Sequence, residues 1–389
     1  MRALIAQVGY TPLTAIPQPI LLMEEGKIVA ISSRPERDIP SACEVLDLGD
    51  SIIAPGFIDV HIHGGAGHDV MDATSDSLLP IERLLAQHGV TTYFPTTMTA
   101  SEEQTLVALE RLAKAIALAE NGNARENEAR ACPAGIHLEG PFLSHARRGV
   151  HPPEQLRRPS LPLFEKFWQA AQGRIRMLTI APELEGAEEV IAAASRRGVC
   201  VSLGHSDADV GTTKTAVQAG AKHATHTFNA MRPLGHRDPG LLGVILADPT
   251  VTADIIVDGV HIDPEVVRLF LHAKGPDHSV LISDATSATG MPDGHYRLGP
   301  IDVEVRDGRC TSDGKLAGSV LTLDRAVRNV MEFAGWSLRQ AVRPATFNPA
   351  KVVGLAGQRG VLVPGADADI VVLSPTGEVR RTFVRGVAA

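Results

Sequence analysis

The hydrophobic and polar positions divide this chain into two ends rich in short strands and a middle in which strands and helices alternate. Residues 20–53 contain short apolar runs separated by turns rich in Glu, Gly and Asp. Residues 360–387 show the same pattern, and Ile370–Leu373 is the strongest apolar run there. Neither end has a core of its own. We therefore predict that residues 1–54 and 356–389 pair into one small β-sandwich.

Between these ends, apolar runs of strand length recur, and helical patterns follow several of them. The strand-like runs are Ile58–Ile62, Thr91–Pro95, Ile136–Leu138, Met177–Ile180, Val199–Leu203, Ala224–Phe228, Asp254–Val257 and Val280–Ile282. A capping box of Ser101 with Gln104 opens one helix, and Gly220 closes another over Thr213–Ala219. Eight strands with intervening helices favour an α/β fold with a (β/α)8 TIM-like barrel over residues 55–355, since that fold uses ~250 residues.

An open doubly wound sheet is the alternative architecture for the middle of the chain. Such a sheet carries a glycine-rich phosphate-binding turn after its first strand. The segment that follows the first predicted strand here, HIHGGAGHD, has neither the GxGxxG nor the GxxxxGK[ST] spacing. The barrel is therefore favoured.

Charge and composition exclude several classes of function. The 37 Lys and Arg residues face 45 Asp and Glu residues, and the net charge of −8 lacks the basic field that binds nucleic acid. No uncharged apolar run reaches the ~18 residues that would span a bilayer, and Gly and Pro interrupt the apolar start of the chain, so we expect no membrane partner and a cytoplasmic location. The four cysteines are scattered without a CxxC pair, which argues against a thiolate metal site.

Groups that can bind a metal ion stand at the C-terminal ends of the predicted strands, which converge on one pocket in a barrel. These groups are His61, His63, Glu139, His205, His226, His261 and Asp284. His61 and His63 are two residues apart, so on a strand they face the same side and can bind one ion together. A lone histidine is more often a core or surface residue, but burying the whole set unpaired would cost several kcal/mol. The set therefore predicts a metal site.

The types of ligand narrow the choice of ion. Imidazole and carboxylate ligands without thiolate suit one or two divalent ions; we expect zinc, with iron, manganese and cobalt as alternatives. Such an ion lowers the pKa of a bound water to near ~7 and polarises a carbonyl. Asp284, in LISDATSATG, is then the candidate base that takes the proton of the water and returns it to a leaving group. The structural alternative for Asp284 is the N-cap of the next helix.

Longer motifs resemble a known family. PGFIDVHIHGG (55–65) together with GVLVPGADADIVVL (360–373) resembles the amidohydrolase superfamily. The resemblance narrows to the N-acetylglucosamine-6-phosphate deacetylase family through HLEGPF (137–142), RGVHPP (148–153), LGHSDAD (203–209), THTFNAM (225–231), DGVHID (258–263) and SDATSATG (283–290). It implies hydrolysis of the acetamide of N-acetyl-D-glucosamine 6-phosphate by a metal-activated water, with glucosamine 6-phosphate and acetate as products and Asp284 as general base and acid.

The resemblance also implies roles for single residues near the metal. Glu139, His205 and His226 match the ligands of the principal ion, and His151 matches the histidine that contacts the acetyl carbonyl and stabilises its oxyanion. Family members vary at the positions of His61 and His63: those that keep both histidines hold a second metal. Keeping both therefore implies a capacity for two ions.

Sugar and phosphate contacts follow from the same resemblance. It implies substrate binding by Asn229, the Ala230 backbone, Arg237 and His261, and a loop that closes on the sugar at Leu316, Ala317 and Gly318. Arg237 is expected to reach the active site of the neighbouring subunit in a homodimer. Independently of the family, a dianionic phosphate needs a fixed guanidinium, and the segment THTFNAMRPLGHRDPG offers one in Arg232 and another in Arg237.

Two alternatives to this function stay open, and a third is disfavoured. Many amidohydrolases bridge two metals with a modified lysine after the fourth strand, but MLTIAPE (177–183) has no lysine, which argues against dihydroorotase- or urease-like activity. The second hypothesis is deacylation of another substrate, such as N-acetylgalactosamine 6-phosphate or an N-acyl amino acid. The third is a non-catalytic scaffold, which would be expected to have lost ligands that this chain keeps.

Seven further histidines and two arginines are interpreted as structural or surface residues. His137 shares a face with Glu139 but lies one layer deeper, where a hydrogen-bonded core role is expected, and His223 faces away from His226. Surface positions are predicted for His68, His88, His272, His278 and His295, and solvated loop charges for Arg147 and Arg148.

Overall fold

The computed structural model describes residues 1–11, 14–34, 38–120 and 128–389. Residues 12–13, 35–37 and 121–127, which fall within the predicted ranges 1–54 and 55–355, lie outside the described residues. The first strands are β1 (Arg2–Ile5), β2 (Val8–Tyr10), β3 (Ala15–Pro17), β4 (Pro19–Glu24), β5 (Lys27–Ser33), β6 (Glu44–Asp47) and β7 (Ile52–Pro55).

The middle of the chain alternates strands and helices, as its pattern predicts. Its first half contains β8 (Phe57–Ile62), β9 (Gly64–Gly65), β10 (His68–Asp69), α1 (Ser75–Gln87), β11 (Val90–Thr97), α2 (Glu102–Glu120), β12 (Cys132–Pro133), β13 (Ile136–Glu139), α3 (Leu161–Ala170), β14 (Ile175–Ile180) and α4 (Ala187–Arg196). The second half contains β15 (Cys200–Leu203), α5 (Val210–Ala219), β16 (His223–Ala224), α6 (Gly240–Ala247), β17 (Ala253–Ile256), α7 (Pro264–His278) and β18 (Ser279–Ile282).

The last third of the chain adds a small sheet, three helices and the C-terminal strands. These elements are β19 (Gly294–Leu298), β20 (Ile301–Arg306), β21 (Arg309–Ser312), β22 (Lys315–Leu316), α8 (Leu323–Ala334), α9 (Leu338–Val342), α10 (Phe347–Val352), β23 (Ile370–Leu373), β24 (Val379–Val384) and β25 (Val387–Ala388).

Strand pairing joins the two ends of the chain. β23 runs antiparallel to β7, with Val371 opposite Ala54, inside a sheet of order β25-β24-β23-β7-β2-β3. A second sheet of order β5-β4-β1-β6 comes from the N-terminal residues alone. One buried hydrophobic cluster draws on both sheets and includes Leu4, Leu21, Ile53, Ile370 and Phe383. Each end therefore supplies part of a core that neither could bury alone.

The central strands run parallel. β8, β11, β13, β14, β15 and β16 pair in that order, and β17 pairs with β18. Backbone hydrogen bonds continue the series across both gaps. Ala224 N–H donates to the Thr252 carbonyl (3.1 Å) between β16 and β17, and Asp284 N–H donates to the His61 carbonyl (3.0 Å) between β18 and β8. The C-terminal ends of all eight strands therefore lie on the same side.

One predicted strand is much shorter than its apolar pattern indicates. We predicted Ala224–Phe228, but β16 ends at Ala224. His226 (φ 29°), Phe228 (φ 81°) and Ala230 (φ 50°) adopt left-handed backbone, which cannot continue a β-strand. The expectation failed because an apolar pattern carries no information about such backbone.

The predicted helix signals are confirmed. Gln104 N–H donates to Ser101 Oγ (3.2 Å) and Ser101 N–H donates to Gln104 Oε1 (3.3 Å), so the capping box opens α2. Gly220, at φ 123°, ends α5. Among the helices that the structure describes, none combines the length and the apolar character that a bilayer crossing requires.

A four-stranded antiparallel sheet, β19 to β22, is inserted between β18 and α8 and was not predicted from the sequence. Its buried side chains, which include Leu298 and Val305, form a cluster with Met98, which follows β11. Asp69 Oδ2 accepts a hydrogen bond from Gly299 N–H (2.7 Å) and so ties this sheet to the loop after β8. The sheet therefore lies above the C-terminal strand ends.

Candidate active site

The candidate residues meet in one cavity of about 140 Å³ at the C-terminal ends of the parallel strands. Its lining consists of His63, Met98, Glu139, Gly149, Val150, His151, His205, His226, Asn229, Ala230, His261, Asp284, Leu298, Leu316 and Gly318. Three predicted site residues are not among the lining. His61 and Ala317 are buried, and Arg237 is exposed on the loop 232–239.

Glu139, the last residue of β13, lies between two pairs of imidazoles. Its Oε1 is 3.1 Å from His226 Nε2 and 3.3 Å from His205 Nε2. Its Oε2 is 3.3 Å from His61 Nε2 and 3.2 Å from His63 Nε2. The two carboxylate oxygens therefore contact two different pairs of imidazole nitrogens.

These separations fit metal ligation. Ligand atoms bound about 2.0–2.1 Å from a tetrahedral ion lie roughly 3.3 Å from one another. Glu139 Oε1 and the Nε2 atoms of His205 and His226 are 3.0 to 3.3 Å from one another, and the shortest of these distances joins the two nitrogens. Two imidazoles and one carboxylate oxygen can therefore share one divalent cation and leave further positions for water and substrate.

Second partners hold two of the rings in the tautomer that a metal needs. His205 Nδ1 is 3.0 Å from the Arg147 carbonyl, and His63 Nδ1 is 3.0 Å from the Thr96 carbonyl. Because a carbonyl oxygen only accepts, Nδ1 of each ring carries a proton, so either ring would bind a metal through Nε2.

Asp284 completes a second group of possible ligands. Its Oδ1 is 3.3 Å from His63 Nε2 and 3.5 Å from His61 Nε2. These three residues, with Glu139 Oε2, form a cluster that adjoins the group around Oε1. The N-cap alternative for Asp284 is wrong, because its carboxylate faces the imidazoles. The residues present thus fit either one ion or two.

The two carboxyl groups are ionised at neutral pH. Burial disfavours the charge on Glu139, but the surrounding imidazoles, His61 first, hold the pKa of its carboxyl well below its usual range. Asp284 is also buried, and His61 with His63 lowers its pKa to about 2. Glu139 is therefore available to a cation, and Asp284 can accept a proton.

His151 presents a hydrogen-bond donor to the same cavity. Its Nδ1 accepts from Thr99 N–H (3.4 Å) and lies 2.8 Å from Thr99 Oγ1. Burial, together with the neighbouring His205, lowers the pKa of His151 well below its ordinary value, so the ring is neutral. Its remaining proton is then on Nε2, which lies 3.8 Å from Glu139 Oε2. A donor in this place suits a developing oxyanion.

Three of the chemical side chains come from left-handed backbone. The φ angles are 48° at His205, 29° at His226 and 49° at Asp284. Such conformations cost of order 1–3 kcal/mol each in non-glycine residues and cluster at functional sites. Each of these residues follows a strand, so the chain turns sharply where it delivers a ligand or base.

Comparison with known proteins identifies the family. The profile of the amidohydrolase family matches residues 52–389. The N-acetylglucosamine-6-phosphate deacetylase of Bacillus subtilis is 37% identical over 368 residues, which are 94% of this chain and 91% of that protein. The chain belongs to the N-acetylglucosamine-6-phosphate deacetylase family. The human deacetylase is 38% identical over 359 residues, 89% of this chain and 85% of that protein.

Solved structures of this family share the whole fold. The Mycobacterium smegmatis N-acetyl-D-glucosamine-6-phosphate deacetylase, as a variant in complex with N-acetyl-D-glucosamine-6-phosphate, superposes with a TM-score of 0.90 at 35% identity and covers 100% of this chain and 98% of that one. The Thermotoga maritima deacetylase gives 0.85 at 32% identity, covering 98% and 97%. These neighbours confirm the resemblance of the motifs and an amidohydrolase fold of the TIM-barrel type.

The residues that the family resemblance assigns to the sugar lie around the metal-competent groups. Asn229 and Ala230 are half-buried in the lining, and Asn229 Nδ2 donates to the His226 carbonyl (3.3 Å). His261 Nδ1 is 2.7 Å from Asp258 Oδ2. Arg237 and Ala317 are not part of the cavity lining, and the roles of all these residues stay predictions.

The structure corrects two predicted surface positions. Arg147 is half-buried and pairs with Asp207 (2.7 Å) instead of being solvated. His88 packs against the protein with its Nδ1 3.0 Å from the buried Asp324. In both cases the partner comes from a distant segment, which a local pattern does not show.

Several residues that shape the site were missed in the sequence. Thr99 and the carbonyls of Thr96 and Arg147 orient imidazoles, while Met98 and Leu298 supply the apolar wall. A carbonyl has no sequence signal. For Thr99, its position four residues after the predicted strand Thr91–Pro95 was the available hint.

His137 and His223 lie outside the cavity, as expected. His137 is buried, with Nδ1 3.0 Å from the Val60 carbonyl and Nε2 2.7 Å from Thr179 Oγ1. Both of its ring nitrogens are therefore engaged in the core.

Proposed function

We propose that this protein hydrolyses the acetamide of N-acetyl-D-glucosamine 6-phosphate to glucosamine 6-phosphate and acetate in a metal-dependent reaction. The proposal rests on Glu139, whose Oε1 faces His205 and His226 beside the ionised carboxylate of Asp284. Relatives of this chain that carry the name of this activity cover most of its length.

The metal would be held by the residues that surround Glu139. His205 and His226 with Oε1 would hold the principal ion, and His61 and His63 with Oε2 a second one. The mixed imidazole and carboxylate set suits zinc, with iron, manganese or cobalt as alternatives. When bound, such an ion polarises the acetyl carbonyl and makes water more acidic.

Side chains of the protein accept and return the proton that is transferred in the reaction. As the water oxygen attacks the acetyl carbon, Asp284 accepts a proton from that water, and His151 Nε2–H donates a hydrogen bond to the oxygen that gains charge. When the carbon–nitrogen bond breaks, Asp284 returns the proton to the amine. The product carboxyl group contains the water oxygen and releases the second water proton, through solvent, to the free amine, so that acetate and an ammonium group are formed and atoms and charge balance.

The test is a coupled assay for acetate, run on metal-stripped and refilled protein. The substrates are N-acetyl-D-glucosamine 6-phosphate, its galacto epimer, N-acetylglucosamine and an N-acyl amino acid. We expect activity on the first substrate that disappears on stripping and returns on refilling. Preference for the galacto epimer or for the amino acid would contradict the proposal in favour of the second hypothesis.

The proposal extends to the architecture. Residues 55–355 would form a closed (β/α)8 barrel, which the hydrogen bond from Asp284 N–H to the His61 carbonyl supports. Residues 1–54 and 356–389 would form a β-sandwich, supported by the core that their two sheets share. We also propose a cytoplasmic homodimer in which Arg237 reaches the active site of the other subunit, since it is exposed on the loop that follows Asn229 and Ala230.

Arg237→Ala should raise the KM for N-acetyl-D-glucosamine 6-phosphate by about 10- to 100-fold, because a hydrogen bond to a charged group contributes ~1.5–3 kcal/mol. The KM for unphosphorylated N-acetylglucosamine should stay nearly constant. Steady-state kinetics on both sugars measure the difference, with Arg158→Ala, an exposed arginine paired with Glu185, as the control. An equal rise in the KM for both sugars would show that Arg237 does not bind the phosphate.

A further inference from the structure

Asp254, in β17, is a fully buried carboxylate that the proposed reaction does not use. One of its oxygens, Oδ1, accepts a hydrogen bond from the backbone N–H of His226. The other, Oδ2, is 3.0 Å from Nε2 of His223, which is also fully buried. A buried carboxylate carries a large desolvation cost even when it is paired, so its contact with His223 is weak evidence for stability on its own and calls for another role.

The segment that Asp254 holds has unusual backbone. His226, Phe228 and Ala230 all have positive φ although none is glycine, and His226 and Ala230 line the candidate active site. Such backbone persists only where the surroundings enforce it. Asp254 contacts two consecutive amides at the start of this segment: its carboxylate accepts from His226 and its carbonyl accepts from Thr227 N–H (2.9 Å).

His223 contacts the second oxygen of the Asp254 carboxylate, Oδ2, and so fixes its orientation. Thr252 Oγ1 donates to the Lys222 carbonyl (3.1 Å) and lies 2.6 Å from His223 Nδ1. Because a carboxylate only accepts, Nε2 of His223 carries a proton and donates it to Asp254, while Nδ1 contacts the Thr252 hydroxyl. A chain of hydrogen bonds thus runs from the N-terminal side of the strands through Asp254 to the backbone of His226.

We propose that Asp254, oriented by His223, is a positioning residue for the metal ligand His226. Its carboxylate holds His226 in the left-handed conformation that brings Nε2 to 3.1 Å from Glu139 Oε1. This inference rests on the proposed function only in requiring a metal at Glu139. It is tested by metal binding, so a different substrate would leave it intact.

The test measures cobalt affinity by competition with a chromophoric chelator, together with the visible spectrum of the bound Co²⁺. Asp254→Ala should weaken cobalt binding by about 10- to 100-fold and change the spectrum, as loss of an outer partner of a ligand does. Asp254→Asn should stay close to the unaltered protein, because its amide oxygen still accepts from His226 and its amide nitrogen can donate to Nε2 of the His223 tautomer that carries its proton on Nδ1.

Asp369→Ala is the matched control. Asp369 is another buried carboxylate, and its Oδ1 accepts from the backbone N–H (2.8 Å) of the left-handed Arg385, in the terminal sheets. Its loss should lower the Tm and leave cobalt affinity unchanged. If Asp254→Ala lowers the Tm without weakening cobalt binding, Asp254 is merely structural and the proposal fails.

A second variant, His223→Ala, keeps the proposal testable if Asp254→Ala does not fold. His223→Ala keeps the hydrogen bond between Asp254 and His226 but removes the partner that orients the carboxylate. We expect cobalt binding about 10-fold weaker than in the unaltered protein, with a changed spectrum. Unchanged affinity and spectrum in this variant would overturn the role of the pair, whatever happens to Asp254→Ala.

Discussion

Asp284→Asn should lower the turnover of N-acetyl-D-glucosamine 6-phosphate by about 10⁴-fold while the metal content stays nearly normal. General acid–base catalysis contributes typically 10²–10⁴-fold, and Asp284 is proposed to act twice, first as base and then as acid. Asparagine has the same shape but cannot take up a proton. In the proposed site the principal ion would be held by Glu139, His205 and His226, so its binding would not depend on this side chain.

The measurement combines acetate release with elemental analysis of the same preparation. Asp209→Asn is a suitable control, because Asp209 caps α5 through Thr212 N–H and asparagine caps a helix equally well. Normal turnover in Asp284→Asn would show that another group moves the proton. Loss of metal along with activity would instead make Asp284 chiefly a ligand.

Glu139→Gln should remove both metal and activity. Each oxygen of Glu139 faces two imidazole nitrogens, and glutamine replaces one oxygen with an N–H donor and takes away the negative charge. We expect metal affinity to fall by more than about 100-fold, the upper figure for loss of a mere outer partner. Acetate release should fall with it.

Glu82→Gln is the matched control for this variant. Glu82 is also buried, and it accepts from Tyr93 Oη (3.3 Å) away from the cavity. Its replacement should change stability but not metal content. Stoichiometric metal in purified Glu139→Gln would contradict the position of Glu139 at the centre of the site.

The metal-competent residues could be predicted from sequence because they follow apolar strands. The spacing of His61 and His63 places both on one strand face, and Glu139 ends a third strand, so parallel strands alone bring them together. The capping box at Ser101 could also be predicted from the sequence, because it depends on two residues only three positions apart.

Other parts of the site depend on distant contacts or on backbone angles. The left-handed turn at His226 replaced an expected strand, because its φ is enforced by Asp254 from the neighbouring strand. The sheet that carries Leu298 has its core against Met98, far away in the chain. Neither feature leaves a local pattern of apolar and polar positions.

The most direct test of a metal centre at Glu139 is anomalous X-ray diffraction from crystals of the metal-loaded protein, recorded at the absorption edge of the bound metal. The strongest anomalous peak should lie about 2.0–2.2 Å from Glu139 Oε1 and from the Nε2 atoms of His205 and His226. A stoichiometric metal whose peak lies elsewhere, with these three atoms free of it, would contradict the account.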